Sequence, residues 1–241
     1  MAQIAKTLIL NPPVILAIEN TGMCGSVALV CSSHCIGEHS LQTKLTHSKR
    51  LLSSVTYLME EAQLDWEQID AIAVSLGPGS FTGLRIGLST VKGLSLASSI
   101  PLIGISTLEA MASPFSYAAC QICSIIDARK KEVYAALFQP EMNGTLSRLS
   151  EDLVLSPEDL AAKITAPTLL VGDGAELYGD MFKEELGQNV IFPPPLLSFP
   201  RAVHIGHLGL SSWEQKNFLD PASAAPIYIR PSDAEIHANK K

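Results

Sequence analysis

One pattern occurs twice in this chain, and the repetition restricts the fold more than any other feature. The apolar run Val14-Ile15-Leu16-Ala17-Ile18 ends at Glu19, passes the polar turn Asn20-Thr21-Gly22, and gives way to a second strand, Ser26 to Cys31. Further on, Ile122 to Ile126 ends at Asp127, and after a polar turn Val133 to Phe138 forms the next strand. A strand, an acid at its C-terminal end, a turn and a second strand, met twice, read as an internal duplication. In the first copy the link Ser32-Ser33-His34 has room only for a hairpin into a third strand, Cys35 to Leu41. The period then changes. From Thr46, an expected N-cap, the residues Leu51, Val55, Leu58 and Ala62 follow helical spacing. Ile69 to Leu76 is again a strand, Ser80 to about Ala97 a helix, and Pro101 to Ile105 a strand. The order βββαβαβ predicts a mixed sheet whose later strands are joined by crossover helices.

The second copy is more worn. Leu146 to Leu155 is read as a third strand, Ser156-Pro157-Glu158-Asp159 opens a helix with Pro at its first position, and Thr168 to Val171 is a strand before Gly172-Asp173-Gly174. A helix from about Arg201 to Gln215 and a Pro-rich return, from Asp220 onward, close the chain. The expected organisation is an α/β protein with a loose tail at 1–13, one lobe at 14–113 and a second at 114–241.

Composition narrows the function. The 241 residues carry 17 Lys and Arg against 24 Asp and Glu, a net charge of −7, the wrong sign for a protein whose main surface neutralises phosphates. Strong nucleic-acid binding by the chain alone is not expected. The start of the chain, with Leu8-Ile9-Leu10 broken at Asn11-Pro12-Pro13, does not read as a signal peptide, and no run of about 18 apolar residues occurs. The expected location is the cytoplasm, and five cysteines, an odd number, are expected as reduced thiols.

The densest local signal is Ser75-Leu76-Gly77-Pro78-Gly79-Ser80-Phe81-Thr82-Gly83-Leu84-Arg85, between a strand and a helix. Pro78-Gly79 suits a type II turn, and Ser80 suits the helix cap. Gly77, Pro78, Gly79, Ser80, Thr82 and Gly83 form a candidate phosphate or nucleotide loop, since such a turn aims backbone N–H groups at one point; a plain tight turn is the other reading. Walker A is excluded by the missing Lys, and a dinucleotide site by the absence of an acid after Ile103-Gly104-Ile105-Ser106. In the helix that follows, Gly83, Gly87 and Gly93 each cost about 0.8–1 kcal/mol relative to Ala. Gly83 and Gly87 share a face, so another backbone is expected there, either the protein's own sheet or a helix of a partner chain. On the partner reading, Leu84, Leu88 and Val91, with Leu51, Val55 and Leu58 of the preceding helix, supply the apolar interface.

Catalytic sets are poorly represented. Cys120-Gln121-Ile122-Cys123 runs into a strand, so it does not read as a redox motif. Cys31, His34, Cys35 and His39 are scattered over a hairpin, and His204 and His207 lack a Glu-x-x-His partner, so no metal site is expected. No Gly-x-Ser-x-Gly or Ser/His/Asp order is present, and the catalytic set is read as empty. Glu19 and Asp127, at equivalent strand ends, are candidate acids for orienting a magnesium nucleotide; an ordinary turn role is the alternative, with Asp127 and Arg129 paired across the turn.

The segment Gly77-Pro-Gly-Ser-Phe-Thr-Gly-Leu-Arg85 resembles the bacterial TsaB (YeaZ) family, once labelled glycoprotease-like. The resemblance extends to Ser26-Val-Ala-Leu29, His47-Ser48 with Leu51-Leu52, Lys92-Gly93, Gly104-Ile-Ser-Thr-Leu-Glu-Ala110, Asp127-Ala-Arg129 with Glu132-Val-Tyr134, and Pro226-Ile-Tyr-Ile-Arg230. It implies an actin-like ATPase fold, of the acetate kinase, sugar kinase and heat-shock ATPase type, with two lobes each on a mixed βββαβα sheet. It also implies a part in making threonylcarbamoyladenosine at position 37 of ANN-decoding tRNAs. There this chain would be a non-catalytic paralogue of TsaD, the transferring enzyme, and would form a heterodimer with it. TsaE with its nucleotide would join, and tRNA would be met only through the complex. A homodimer is implied in isolation, through a four-helix contact. The resemblance implies no resident cofactor and at most weak nucleotide binding. The metal-binding His-x-x-x-His of the catalytic relative corresponds here to Thr107 and Met111, neither of which suits a hard metal. The chain departs from the family in having Glu19-Asn20-Thr21 where Asp-Thr-Ser is usual. The competing expectation is an independent actin-like ATPase or phosphotransferase, or the peptidase of the old label.

Overall fold

The computed structural model describes residues 12–32, 34–42 and 47–230. The N-cap expected at Thr46 and most of the expected 1–13 tail lie outside these. The described chain divides into two compact units. Unit 1 takes the chain up to Leu76, Thr82–Ile105 and Arg201–Ala225; unit 2 takes Gly77–Phe81, Ser106–Pro200 and the chain from Pro226.

Unit 1 is built on five strands: β1 (Val14–Glu19), β2 (Cys24–Cys31), β3 (Cys35–Gln42), β4 (Ala71–Gly77) and β5 (Leu102–Ser106), in the order β3-β2-β1-β4-β5. β1 is antiparallel to β2, with Val14 opposite Cys31 and Glu19 opposite Ser26, and parallel to β4, with Ile15 opposite Ala71. Alternation along these strands sorts side chains onto two faces. Leu16, Ile18, Val27, Leu29, Ile72 and Val74 pack beneath helices α1 (His47–Ala62) and α2 (Phe81–Ser98).

The opposite face carries smaller residues. It receives helix α7 (Ala202–Glu214), whose Gly206 and Gly209 come close to Ala17, Val30 and Ala73. The start of α7 is held by unit 1 as well: Ala202 N–H donates to Ser26 Oγ at 2.9 Å, Val203 N–H to Glu38 Oε1 at 3.1 Å, and Arg201 pairs with Glu38. These contacts satisfy N–H groups that a helix leaves unpaired at its N-terminus. They are also why residues 201–225 lie with unit 1, although the sequence boundary at 114 assigned them to the second lobe.

Unit 2 repeats the plan. Its strands are β6 (Gln121–Arg129), β7 (Glu132–Pro140), β8 (Leu146–Arg148), β9 (Leu153–Leu155), β10 (Thr168–Val171) and β11 (Val190–Ile191). The order is β11-β10-β6-β7-β8, with β9 also on β7; β6 is antiparallel to β7 and parallel to β10. Read from its first strand, each sheet has its second and third strands on one side and the last two on the other. The expected third strand, Leu146 to Leu155, is two short pieces, because Ser150 Oγ intervenes and accepts the Leu137 N–H at 3.0 Å.

The helices of unit 2 are short: α3 (Thr107–Ala112), α4 (Pro157–Lys163), α5 (Asp173–Leu177) and α6 (Gly179–Leu186). α4 starts as its sequence requires, with Ser156 Oγ accepting the Asp159 N–H at 3.0 Å and Pro157 at the first position. Cys123, Ile125, Val133, Ala135 and Leu137 face α4 to α6, while Ile122, Ala136 and Phe138 face Leu108 and Met111 of α3.

Candidate functional site

The two strand-end acids occupy different environments. Glu19 closes β1 and is fully buried. Its Oε1 accepts from the N–H and the hydroxyl of Thr21, each at 2.5 Å, while Oε2 is buried without a hydrogen-bond partner. Burial pushes its carboxyl pKa above the ordinary value, against the lowering hydrogen bonds of Thr21 and Ser75. A carboxyl held this way is committed to its own turn, and burial disfavours the ionised form that a cation would need. Asn20 beside it reaches α2, its Nδ2 donating to the Gly83 carbonyl at 2.9 Å. The hollow lined by Asn20, Ser26, Leu41, Leu51 and Ser54 is about 20 Å³, space for a single water and not for a nucleotide.

Asp127 lies two residues before the end of β6, where the ladder with β7 is bulged. Its Oδ1 accepts the Arg129 N–H at 2.9 Å, and Oδ2 pairs with Arg129 Nη1 at 3.0 Å. The backbone N–H of Asp127 donates to Asp173 Oδ1 at 3.0 Å. Asp173, exposed where α5 begins, has its carboxyl pKa raised mainly by desolvation, with the Asp127 charge adding to it. This is the ion pair across a turn that the sequence offered as the ordinary alternative.

In the glycine-rich loop, Gly77 ends β4 with φ 115°, a conformation that favours glycine. Gly77 and Pro78 are buried, Gly79 is half-buried, and Ser80, Phe81 and Thr82 are exposed where α2 begins.

The structure corrects the interface residues. Leu51, Val55, Leu58, Leu84, Leu88 and Val91 are none more than 6% exposed, and five of the six belong to the core cluster over the β1–β4 face. Gly83 and Gly87 are buried with them, and a Cβ on Gly87 would sit 3.5 Å from Asn20 Cβ and 3.9 Å from Val74 Cγ2. The apolar stripe of each helix is therefore spent on its own sheet, as amphipathic helices ordinarily are. The outward faces carry other residues: Leu52 and Tyr57 on α1, and Gly93 and Leu96 on α2.

Thr107 and Met111 are buried on α3, and Met111 Cε lies where a side chain on Gly172 would have to go. Among the described residues no group of three His, Cys, Asp or Glu is placed to hold a metal ion. The Cys123 thiol is pushed up to about 12 by burial, which leaves it unreactive.

What sequence reasoning missed is a convergence of distant segments in unit 2. Arg230 Nη1 pairs with Glu132 Oε2 at 2.6 Å, and its Nη2 donates to the Ala128 carbonyl at 2.8 Å. Two residues earlier, Tyr228 packs on Phe81 with ring centroids 5.2 Å apart. The glycine-rich loop, the Asp127 to Tyr134 hairpin and the Pro226 to Arg230 segment thus form one cluster. Each stretch carries the family resemblance, but the partners stand about a hundred residues apart and no spacing rule links them.

Two units of the same plan, each with its first strand flanked by the next strand, antiparallel to it, and by a parallel strand that follows a helix, place the chain in the actin-like ATPase fold. The family model described as TsaD, tRNA N6-adenosine threonylcarbamoyltransferase, matches residues 40–238. The chain is 29% identical over 224 residues to the tRNA threonylcarbamoyladenosine biosynthesis protein TsaB of Bacillus subtilis (strain 168), covering 92% of this chain and 96% of that protein. It is 32% identical over 168 residues to TsaB of Buchnera aphidicola subsp. Schizaphis graminum, 67% of this chain and 79% of the relative. Among solved structures, YeaZ from Pseudomonas aeruginosa superposes with a TM-score of 0.78 at 29% identity, over 90% of this chain and all of that one. The chain belongs to the TsaD family and, within it, to the TsaB (YeaZ) group.

Proposed function

We propose that this chain is a non-catalytic subunit in the synthesis of threonylcarbamoyladenosine at position 37 of ANN-decoding tRNAs, pairing with TsaD as scaffold and activator. The observation that carries the reading is the state of α3. The two positions that would have to supply paired metal ligands are Thr107 and Met111, both buried, with Met111 packed among residues of β6, β7 and β10. A hydroxyl and a thioether are a poor donor set for a hard catalytic metal. The buried Glu19 points the same way: its Oε1 is taken by Thr21 and burial disfavours its ionised form, whereas magnesium held from the end of β1 would call for an ionised acid in reach of solvent. Nucleotide binding at the Gly77 to Gly83 loop is at most weak on this reading.

The partner contact is assigned to the outward faces of α1 and α2, with Leu52, Tyr57 and Leu96 as its apolar residues, each at least half exposed. TsaE with its nucleotide joins the pair, tRNA is met through the complex, and a homodimer through the same faces forms in isolation. No helix among the described residues is long and apolar enough to cross a membrane, and we place the protein in the cytoplasm with its tRNA.

The test is reconstitution with TsaD, TsaE, the threonylcarbamoyl donor and unmodified tRNA. Modification should require this chain, and the chain alone should transfer nothing. Turnover by the purified chain alone, lost on Glu19→Ala or Asp127→Ala, would overturn the reading in favour of an independent enzyme.

A further inference from the structure

The connection between β6 and β7 breaks a local rule in a way that points outward. Arg129 pairs directly with Glu132, so Lys130 and Lys131 are the two central residues of a tight hairpin. Their φ values are 56° and 62°, and Arg129 before them has φ 63°. A two-residue hairpin with positive φ at both centres selects Asn-Gly or Asp-Gly, because a Cβ is disfavoured in that region. Here three consecutive long cationic residues occupy it. Residues held in disfavoured conformations persist only where the surroundings fix them, and they concentrate at functional sites.

The surroundings do fix this turn. Asp127 holds the Arg129 backbone from one side, and Arg230 bonds both the Ala128 carbonyl and Glu132 from the other. The tip itself is given to solvent: residues 129–131 are all exposed, and the Arg129 side chain keeps 83% of its surface although it touches Asp127. The result is a braced finger with three cations at its end, on a chain whose net charge is −7. At physiological salt such charges act over only about 8 Å, so the finger engages an anion brought against it and does not draw in polyanions from a distance.

We propose that the Arg129-Lys130-Lys131 finger contacts the phosphate backbone of the RNA substrate once the complex has docked it. This rests on the function proposed above. RNA is favoured over an acidic protein partner because spaced, rigidly presented cations match a phosphate chain, and because a tip made only of cations offers no apolar anchor of the kind protein interfaces require. It also reconciles the acidic composition with a nucleic-acid substrate, since a few local contacts need no basic surface.

The decisive variant is Lys130→Asn/Lys131→Gly, which installs the residues the turn prefers and removes two cations. Lys130→Gln/Lys131→Gln removes the charge and leaves the backbone demand unchanged. Binding of an unmodified tRNA transcript to the complex with TsaD is titrated against salt for wild type and both variants. Losing two phosphate contacts should lower the slope of log K against log salt by about 1.4–1.8, which from a common affinity at 1 M salt is about 25- to 60-fold weaker binding near 0.1 M salt. Lys130→Asn/Lys131→Gly should at the same time melt at a higher temperature than wild type and still assemble with TsaD. Unchanged affinity and slope in both variants overturn the proposal, and so does loss of TsaD assembly with either, which would make the finger a protein contact. The function reading is tested separately, by whether the wild-type complex modifies tRNA. If the wild-type chain fails to pair with TsaD, the function reading falls and this proposal, which needs the complex to present the RNA, falls with it; a wild-type complex that modifies tRNA while both variants bind it unchanged overturns the finger alone.

Discussion

One substitution, glycine to alanine in a helix, should have opposite effects at Gly93 and at Gly206. Both sit inside helices, where Ala is favoured over Gly by about 0.8–1 kcal/mol. At Gly93 on α2 an added Cβ meets nothing within 4 Å, so the whole propensity gain should appear as stability. At Gly206 on α7 the Cβ would fall 2.6 Å from Val30 Cγ2, 3.0 Å from Val30 Cβ and 3.2 Å from Ala17 Cβ. Val30 is β-branched and stiff at χ1, and the Ala17 Cβ is fixed by the strand, so neither neighbour can swing away. Overpacking of this kind costs about 1–3 kcal/mol, which exceeds the propensity gain. The expected results are Gly93→Ala about 1 kcal/mol more stable than wild type and Gly206→Ala about 1 kcal/mol less stable, a separation of about 2 kcal/mol. Urea denaturation followed by far-UV circular dichroism reads this from the shift in midpoint at constant slope. Gly206→Ala equal to or more stable than Gly93→Ala would refute the argument that close approach to the β1–β2 face is what keeps glycine in α7.

Glu19→Gln should be more stable than wild type at pH 8 and much closer to it at pH 4.5. The folded carboxyl pKa is raised above its ordinary 4.5 by burial, so the stability of the protonated form is full below that value and is lost as pH rises toward the folded pKa, whereas Gln does not titrate; an equal gap at both pH values would count against the raised pKa. His204, its pKa lowered to about 4 by burial and by the Arg201 charge, should stay neutral by NMR titration until near pH 4. Because the unfolded chain takes up that proton near 6.5, stability should fall as pH drops from 6.5 toward 4, and fall less in His204→Gln. Arg230→Ala should cost about 1–2 kcal/mol, since it breaks two charge-assisted hydrogen bonds of a partly exposed pair, and the loss should be smaller in 0.5 M salt if the ion pair contributes to it.

The sheets were legible because their signal is strong and local. Val14 to Ile18, Ile122 to Ile126 and the alternating Val133 to Phe138 each carry a period-2 or continuous apolar pattern, and α1, α2 and α7 are long enough to show a 3.6 period. α3, α5 and α6 were not, since helices of five to eight residues show barely two turns of pattern. The interface reading failed for a different physical reason. An apolar stripe such as Leu51, Val55 and Leu58 looks the same whether it covers the protein's own sheet or a partner's helix, and only three dimensions assign it. Spacing likewise put Gly83 and Gly87 on one face without saying which; the structure turns Gly87 inward to Asn20 and Val74 and leaves Gly93 facing outward.

The duplicated plan also explains why the two acids diverge. Glu19 and Asp127 stand near the ends of the first strands of equivalent sheets, each beside the turn into an antiparallel partner. In unit 1 the turn is drawn in: Glu19 is buried, Asn20 is tied to α2, and Ser26 across the ladder caps α7, so these side chains are committed to the fold. In unit 2 the turn is pushed out by a bulge, its acid stays close enough to solvent to pair with Arg129, and the next two residues are cations at the tip. The same local geometry therefore serves stability in one copy and leaves a charged surface in the other. Mutations at Glu19 should accordingly report through folding, and mutations at the 129–131 tip through binding, which is the separation the two sets of experiments are built to detect.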